Sequence, residues 1–323
     1  MEWQLRRELQ ETRRAALAQS THKNIQTHWK SYSTFCEATG KNPIPLSIDL
    51  LCLYAQYMSH FVKSPDTIRN YINGIITHNN LKGREPPNLN TPLFKLTMKG
   101  LRNMMQHRVH RAKPITPEIL TDIHDLLNHS DPFHVVIWVT LLLGFLLLLR
   151  KSNLVPDTQQ AWSCKKQLTG GNIKMSDQAI LVTINWTKTI QDSHRALQIP
   201  LLKIPNSKLC PVSALENLDR LIGIEQKLPL LRYPIKRGWA LLTYPQYNAA
   251  LKTLVSHTGR DPAGFSTHSL RRGGATYAAQ IGIPNNEIQT LGDWKSESYK
   301  NYIEDLLPAR TKIAHKIKKT LIV

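Results

Sequence analysis

Acidic residues are scarce in this sequence: 23 Asp and Glu stand against 42 Lys and Arg in 323 residues, a formal net charge of +19. No carboxylate cluster stands out as a holder of paired catalytic cations. Cysteine is also thin. The four, Cys36, Cys52, Cys164 and Cys210, lie far apart with no C-x-x-C and no paired Cys/His spacing. Neither a disulfide framework nor a zinc site follows, and a reducing compartment fits. There is no internal repeat and no low-complexity segment. No signal peptide is expected at the start, because residues 1–19 are charged and helical in character. Only one long hydrophobic run occurs, residues 133–149 (FHVVIWVTLLLGFLLLL). It approaches the ~20 residues of a membrane span. It contains His134 and Gly144 and runs straight into Arg150 and Lys151, so it reads as a buried core helix, and no membrane partner is expected.

What is present in excess is positive charge. It points to a polyanionic partner, of which nucleic acid is the commonest. The first 112 residues and the remainder are both basic, which suits a protein that grips DNA from two sides. A hydrophobic share of 41% is enough for a sizeable core, and the length suits about two domains. The first, residues 1–112, reads as helices over 22–37 (capped by Ser20 and Thr21), 47–59, from Ser64-Pro65 onward, and 93–106. The last of these carries Lys95, Lys99 and Arg102 on a solvated face. Residues 108–117 (RVHRAKPITP), with Arg111 and Lys113, look like a basic linker. The second domain, residues 113–323, opens with a helix at Thr116-Pro117 and continues into the apolar helix. Residues 179–186 (AILVTINW) and 196–201 form two strands joined by a turn over 187–194, with an earlier, third strand expected at 170–174. Helices return over 212–221, 244–257, 267–281, 286–291 and 296–306. The fold class is mainly α with a small antiparallel β-sheet.

Two short runs carry chemistry. In THSLRR, Thr267 is suited to cap a helix whose first residue is His268, with Arg271 on the same face three residues later. Donors at a helix N-terminus make an anion site suited to a phosphate. In GDWKSESYKNY, Gly292 ends one helix, Ser296 is suited to cap the next, and Trp294, Tyr299 and Tyr302 follow. Taken alone, H-x-x-R could be a solvated surface pair, and a Trp with two Tyr could be core packing.

Together these runs resemble the catalytic end of the tyrosine recombinase (integrase) family. H-S-L-R-R-G-G-A-T, then L-G-D-W-K-S, then Y-x-x-Y-I, is especially similar to the recombinases of eukaryotic mobile elements, the DIRS/Ngaro-like and Crypton types. The resemblance implies that His268 and Arg271 contact the scissile phosphate, that Trp294 adds a further donor, and that Tyr302 is the nucleophile. Tyr299 is the competing nucleophile, and Arg272 stands beside Arg271. The family's first Arg falls on Arg150 in L-L-L-R-K-S-N-L, although many relatives have an acidic residue where this chain has Asn153. The family's hairpin Lys falls on Lys188 in W-T-K-T. The resemblance spans roughly residues 114–306 and implies a two-domain, C-shaped clamp. In it, a helical core-binding domain (1–112) precedes the catalytic domain and its tail (113–323). The expected DNA-binding residues are Lys95, Lys99, Arg102, Arg111 and Lys113. The implied partners are double-stranded DNA and further copies of the chain, as a tetramer on two duplexes. The basic-apolar end KIAHKIKKTLIV could dock on a neighbour.

Elementary chemistry agrees. Transferring a phosphodiester requires charge stabilisation on two nonbridging oxygens. Arginine forks match phosphate oxygens and stay charged, so no metal or other cofactor is expected. A phenol, with an unperturbed pKa of ~10, attacks effectively only in a positive site. The leaving 5′-oxygen needs a proton, which a hairpin lysine can supply. A 3′-phosphotyrosine link conserves the bond, so rejoining needs no ATP. The activity that the resemblance implies is site-specific recombination for a mobile element, in the nucleus if the source is eukaryotic and otherwise with DNA in the cytoplasm. The alternatives are a catalytically silent DNA-binding derivative and a type IB topoisomerase-like enzyme.

Overall fold

Three helix starts in the first hundred residues are capped by side-chain oxygens. Ser47, Ser64 and Thr91 accept from the backbone N–H of Leu50, Asp66 and Phe94. Each satisfies an amide that the first helical turn leaves unpaired, and Pro65 and Pro92 fill first-turn positions where no amide is needed. The computed structural model describes residues 1–107, 111–187, 189–190 and 195–303. The chain forms two compact units, Met1–His110 and Arg111–Val323.

The first unit consists of α1 (Glu2–Ala15), α2 (Gln19–Ala38), α3 (Ile48–Ser59), α4 (Pro65–Leu81) and α5 (Pro92–Met105). Its core joins Tyr32 and Phe35 of α2 with Leu51 and Tyr54 of α3, Ile68, Ile72 and Ile75 of α4, and Phe94, Met98 and Leu101 of α5. Each fully buried side chain of this size contributes about 1.5–3 kcal/mol. Trp29 remains half-buried and stacks on His78. α2 begins at Gln19, so Ser20 and Thr21 lie inside the helix instead of capping it. α5 turns Lys95, Lys99 and Arg102 outward, as its 3.6-residue period requires once Phe94, Met98 and Leu101 point in.

The second unit is built around one helix. α6 (Pro117–Leu126), capped by Thr116, leads to α7 (Pro132–Leu146), which is buried on every side from Val135 to Phe145. Hydrophobicity all round a 15-residue helix therefore means a core helix here. Among the described residues no helix is long and apolar enough to cross a membrane. α8 (Lys151–Leu154) follows. Then comes a three-stranded antiparallel sheet, β1 (Ile173–Met175), β2 (Ala179–Ile184) and β3 (Leu197–Leu202), in that order. Ile180, Val182 and Ile184 of β2 point to the core, and the register pairs Val182 with Ile173 and Ile199. A slip by one residue would turn this apolar set to solvent. α9 (Pro211–Ile222), the hairpin β4 (Arg232–Ile235) and β5 (Gly238–Leu241), α10 (Tyr244–His257), α11 (His268–Gln280) and α12 (Asn285–Leu291) complete the described elements.

Three expectations are corrected. The hairpin β4–β5 was not anticipated. Pro234 interrupts the apolar run, which only an edge strand of a two-stranded ribbon tolerates. The segment read as a linker is anchored over its second half: Lys113 N–H donates to Gly264 O at 2.7 Å, Ile115 N–H donates to Ser269 O at 3.0 Å, and Ile115 is fully buried. Within the expected helix 296–306, the described part is a 3-10 turn, Glu297–Asn301, capped by Ser296 and followed by Tyr302.

Candidate active site

Two sharp backbone turns bring the site together. After α7 the chain turns at Leu148, whose φ of 49° is left-handed. A bulky residue adopts that conformation only at a cost of about 1–3 kcal/mol. Burial of the Leu148 side chain against Ala275, Ala278, Ile288 and Trp294 helps to offset it. The turn aims the Leu148 carbonyl at Arg271, whose Nη1 donates to it. After α12, Gly292 ends the helix with an ordinary φ of −84°, and the left-handed residue is Asp293 at 49°. Gly292 is required for space: a Cβ there would lie 1.7 Å from the Trp294 ring. Its carbonyl accepts from Arg271 Nη2 at 2.7 Å.

α11 supplies His268 and Arg271. Thr267 precedes His268 as expected, but its hydroxyl caps nothing. Ser266 Oγ accepts from the His268 N–H at 3.3 Å instead. α11 lies close against α7, and a Cβ on Gly274 would approach the Phe145 carbonyl oxygen to 2.1 Å. Arg271 is only 2% exposed. Its guanidinium lies 3.8 Å from the centroid of the Trp294 ring and 5.4 Å from that of Tyr302. Burial and the neighbouring Arg150 charge pull its pKa down to about 9, with Tyr302 and Asp293 acting in the opposite direction, so it stays charged at neutral pH.

Trp294 packs beneath Arg271 and is 6% exposed. Its indole N–H, like Arg271 Nε, is buried with no acceptor among the described residues. In this structure its contact is the face of the guanidinium, a cation–π stack. His268 sits at the rim, and its Nε2 is 2.9 Å from the Tyr302 hydroxyl. Shielding of the ring from water, then the charges of Arg271, Arg150 and Arg272, hold its pKa below the ordinary histidine value. Arg150 starts α8 in an extended conformation, half-buried, close enough for its charge to act on both His268 and Arg271.

The two tyrosines differ. Tyr299 is buried in a cluster with Leu148, Ile288 and Trp294. Tyr302 is half-buried, its hydroxyl on His268 and its backbone N–H on the Tyr299 carbonyl. Arg150, His268, Arg271, Trp294 and Tyr302, far apart in sequence, are thus neighbours. Lys188 lies outside the described residues, as does the chain end from residue 304. Lys95, Lys99 and Arg102 are exposed on α5 in the first unit, and Arg111 and Lys113 are exposed at the start of the second. Asn153 is buried and donates to the Trp186 carbonyl at 2.6 Å, tying α8 to the segment just past β2. Among the described residues no group of three or more His, Cys, Asp or Glu is placed to hold a metal ion.

Sequence reasoning missed Asp293. It is 6% exposed and accepts from Thr187 Oγ1, Thr189 Oγ1 and Arg195 Nη2. The usable signal was its place just past a helix end, where Asp tolerates a left-handed turn.

No protein-family model matches the chain. The integrase/recombinase XerD homologue of Selenomonas ruminantium is 25% identical over 295 residues, 89% of this chain and 82% of that protein. Among solved structures, the Tn1549 transposon integrase in complex with transposon right end DNA matches with a TM-score of 0.64 at 15% identity, covering 95% of each chain. A lambda integrase dimer bound to a COC′ core site matches at 0.56 and 16%, covering 94% of this chain and 95% of that one. The XerH recombinase bound to its difH substrate matches at 0.52 and 12%, covering 84% and 70%. The structural matches establish the fold, which is that of these integrases and recombinases, and the XerD homologue is similar to this chain along most of both lengths.

Proposed function

We propose that the chain cleaves and rejoins double-stranded DNA at specific sites, with Tyr302 as nucleophile and no metal. The single observation that carries this reading is the Tyr302 hydroxyl held 2.9 Å from the nitrogen of a histidine whose neutral form is favoured, beside Arg271 and Arg150. Tyr302 Oη attacks the phosphorus as His268 Nε2 takes the phenolic proton. The bond from phosphorus to the 5′-oxygen breaks, its electron pair stays on that oxygen, and Lys188 supplies the proton. Arg150 and Arg271 balance the charge that builds on the nonbridging oxygens, and Trp294 supports Arg271 from below. The reverse steps with a new 5′-hydroxyl rejoin the strand.

Several relatives support the DNA reading in their own right: the Tn1549, lambda and XerH proteins are described in complexes with DNA. Service to a mobile element of the DIRS/Ngaro-like or Crypton type rests on the H-S-L-R-R-G-G-A-T and L-G-D-W-K-S runs. Assembly as a tetramer on two duplexes and action in a nucleus follow from the same reading. The test is a nicked suicide substrate, on which the cleaved end cannot be rejoined. A covalent protein–DNA adduct should form in excess EDTA and map to the peptide bearing Tyr302. No adduct, or one that appears only when magnesium is restored, would overturn the mechanism.

A further inference from the structure

Thr187, Thr189 and Ile190, just past the end of β2, are held from outside the sheet. Thr187 and Ile190 exchange backbone bonds, N–H to carbonyl, at 3.1 and 3.2 Å. The Thr187 hydroxyl oxygen accepts from the N–H of Thr189 and of Ile190. From this knot both threonine hydroxyls donate to one carboxylate, that of Asp293, and Thr189 also donates to the Asp293 carbonyl at 3.2 Å. Arg195, where the chain returns toward β3, pairs with the second carboxylate oxygen. Asp293 is more than a hundred residues away in sequence. It lies between Gly292, whose carbonyl holds Arg271, and Trp294, whose ring carries the same guanidinium.

A buried carboxylate is costly unless its lone pairs are met. Here two hydroxyls and a guanidinium meet them, and all three belong to the hairpin. The hydrogen bonds of Asp293 run to the two neighbours of Lys188 in sequence.

We propose that Asp293 is a positioning residue: through Thr187, Thr189 and Arg195 it locks the segment after β2 to the loop that supports Arg271, and so serves the step that uses Lys188. This rests on the strand-transfer reading above. A catalytic group displaced by about 1 Å can lose on the order of a hundredfold in rate. The clamp therefore matters most to the step that uses Lys188.

Two measurements on the full chain test it. The first needs no activity. Asp293→Asn keeps the shape and the tolerance for a left-handed turn but removes the charge and one acceptor. Amide hydrogen exchange at Thr187 and Ile190 should speed up in this variant and in Thr189→Val, which removes the hydroxyl from the hairpin side. Unchanged exchange in both variants overturns the clamp, whatever the enzyme does, and Thr189→Val stands alone should Asp293→Asn fail to fold. The second uses suicide substrates with a bridging 5′-oxygen or 5′-sulfur, the sulfur leaving without a proton. Asp293→Asn should slow adduct formation roughly tenfold to a hundredfold on the oxygen substrate and stay close to wild type on the sulfur one. Added to Lys188→Ala it should cost nothing more. Equal defects on both substrates, or a loss that multiplies with that of Lys188→Ala, would overturn the link to Lys188. A wild-type chain that forms no adduct at all refutes the strand-transfer reading, while the exchange result still decides whether Asp293 clamps the turn.

Discussion

At the scale of single residues, the site is organised by which groups are allowed to be buried. Tyr299 and Tyr302 are three apart in sequence, yet one is packed against Leu148 and Ile288 and the other presents its hydroxyl to His268. Tyr302→Phe removes one oxygen and keeps the ring beside Trp294, so DNA binding should stay near normal while the adduct on the suicide substrate disappears. Tyr299→Phe should reduce adduct formation only modestly. An adduct that survives in Tyr302→Phe would transfer the nucleophile's role elsewhere. His268 gives a second expectation with a definite sign. Its folded-state pKa is depressed by shielding and by Arg271, Arg150 and Arg272, so the neutral ring persists below the ordinary value near ~6.5. As pH falls through that value the unfolded chain takes up the proton first, so His268 costs stability on the acid side. An NMR titration of the free protein should find the His268 midpoint below ~6.5. Arg150→Gln removes a positive neighbour and should move it upward. A midpoint above the ordinary value would mean that the arginine cluster is not where His268 can feel it.

Between elements, the site depends on close backbone approaches that a side chain would block. Gly292→Ala would force a Cβ to within 1.7 Å of the Trp294 ring, and the loop must shift to relieve it. The shift would pull the Gly292 carbonyl from Arg271 and Asp293 from the hairpin at once. We expect a loss of about 1–3 kcal/mol, typical of overpacking, seen as a lower denaturant midpoint, with adduct formation falling further than stability alone explains. Normal adduct formation by this variant would show that the loop has slack. The elements themselves were largely legible. The helix read over 93–106 with Lys95, Lys99 and Arg102 on its solvated face matches α5, alternation in AILVTI matches β2, and the unbroken apolar run gave α7 its central place. The five residues that the structure brings together stand in legible places: His268 and Arg271, and Trp294 and Tyr302, in short local patterns, and Arg150 after the apolar helix. What stayed hidden was non-local. The role of Asp293 depends on Thr187, Thr189 and Arg195, and the role of the Leu148 and Gly292 carbonyls on a guanidinium from α11. Neither leaves a periodic trace. The short ribbon β4–β5 was hidden for a different reason, since Pro234 breaks the pattern that marks a central strand.

For the whole chain, charge is the governing quantity. A net +19 on 323 residues opposes compactness by self-repulsion unless a polyanion neutralises it. If DNA is that polyanion, each Lys or Arg on a phosphate releases counterions, and log affinity falls linearly with log salt by about 0.9 per phosphate neutralised. With six or more such contacts, affinity should drop on the order of a thousandfold between roughly 50 and 200 mM salt. The exposed row on α5 allows a finer test. Among the described residues Lys95 and Lys99 have no ion-pair partner, whereas Arg102 lies 3.6 Å from Asp66 and is already partly neutralised. A cation that trades an internal partner for a phosphate gains less than one taken from water. Lys95→Ala and Lys99→Ala should each lower the salt slope by about one and weaken binding evenly across DNA sequences. Arg102→Ala should lower it by less. Slopes measured by fluorescence anisotropy on a short duplex decide the matter. A flat salt response would remove DNA as the reason for the charge. A steep wild-type slope left unchanged by Lys95→Ala and Lys99→Ala would move the contacts off α5 and leave the basic surface of the second unit to carry them.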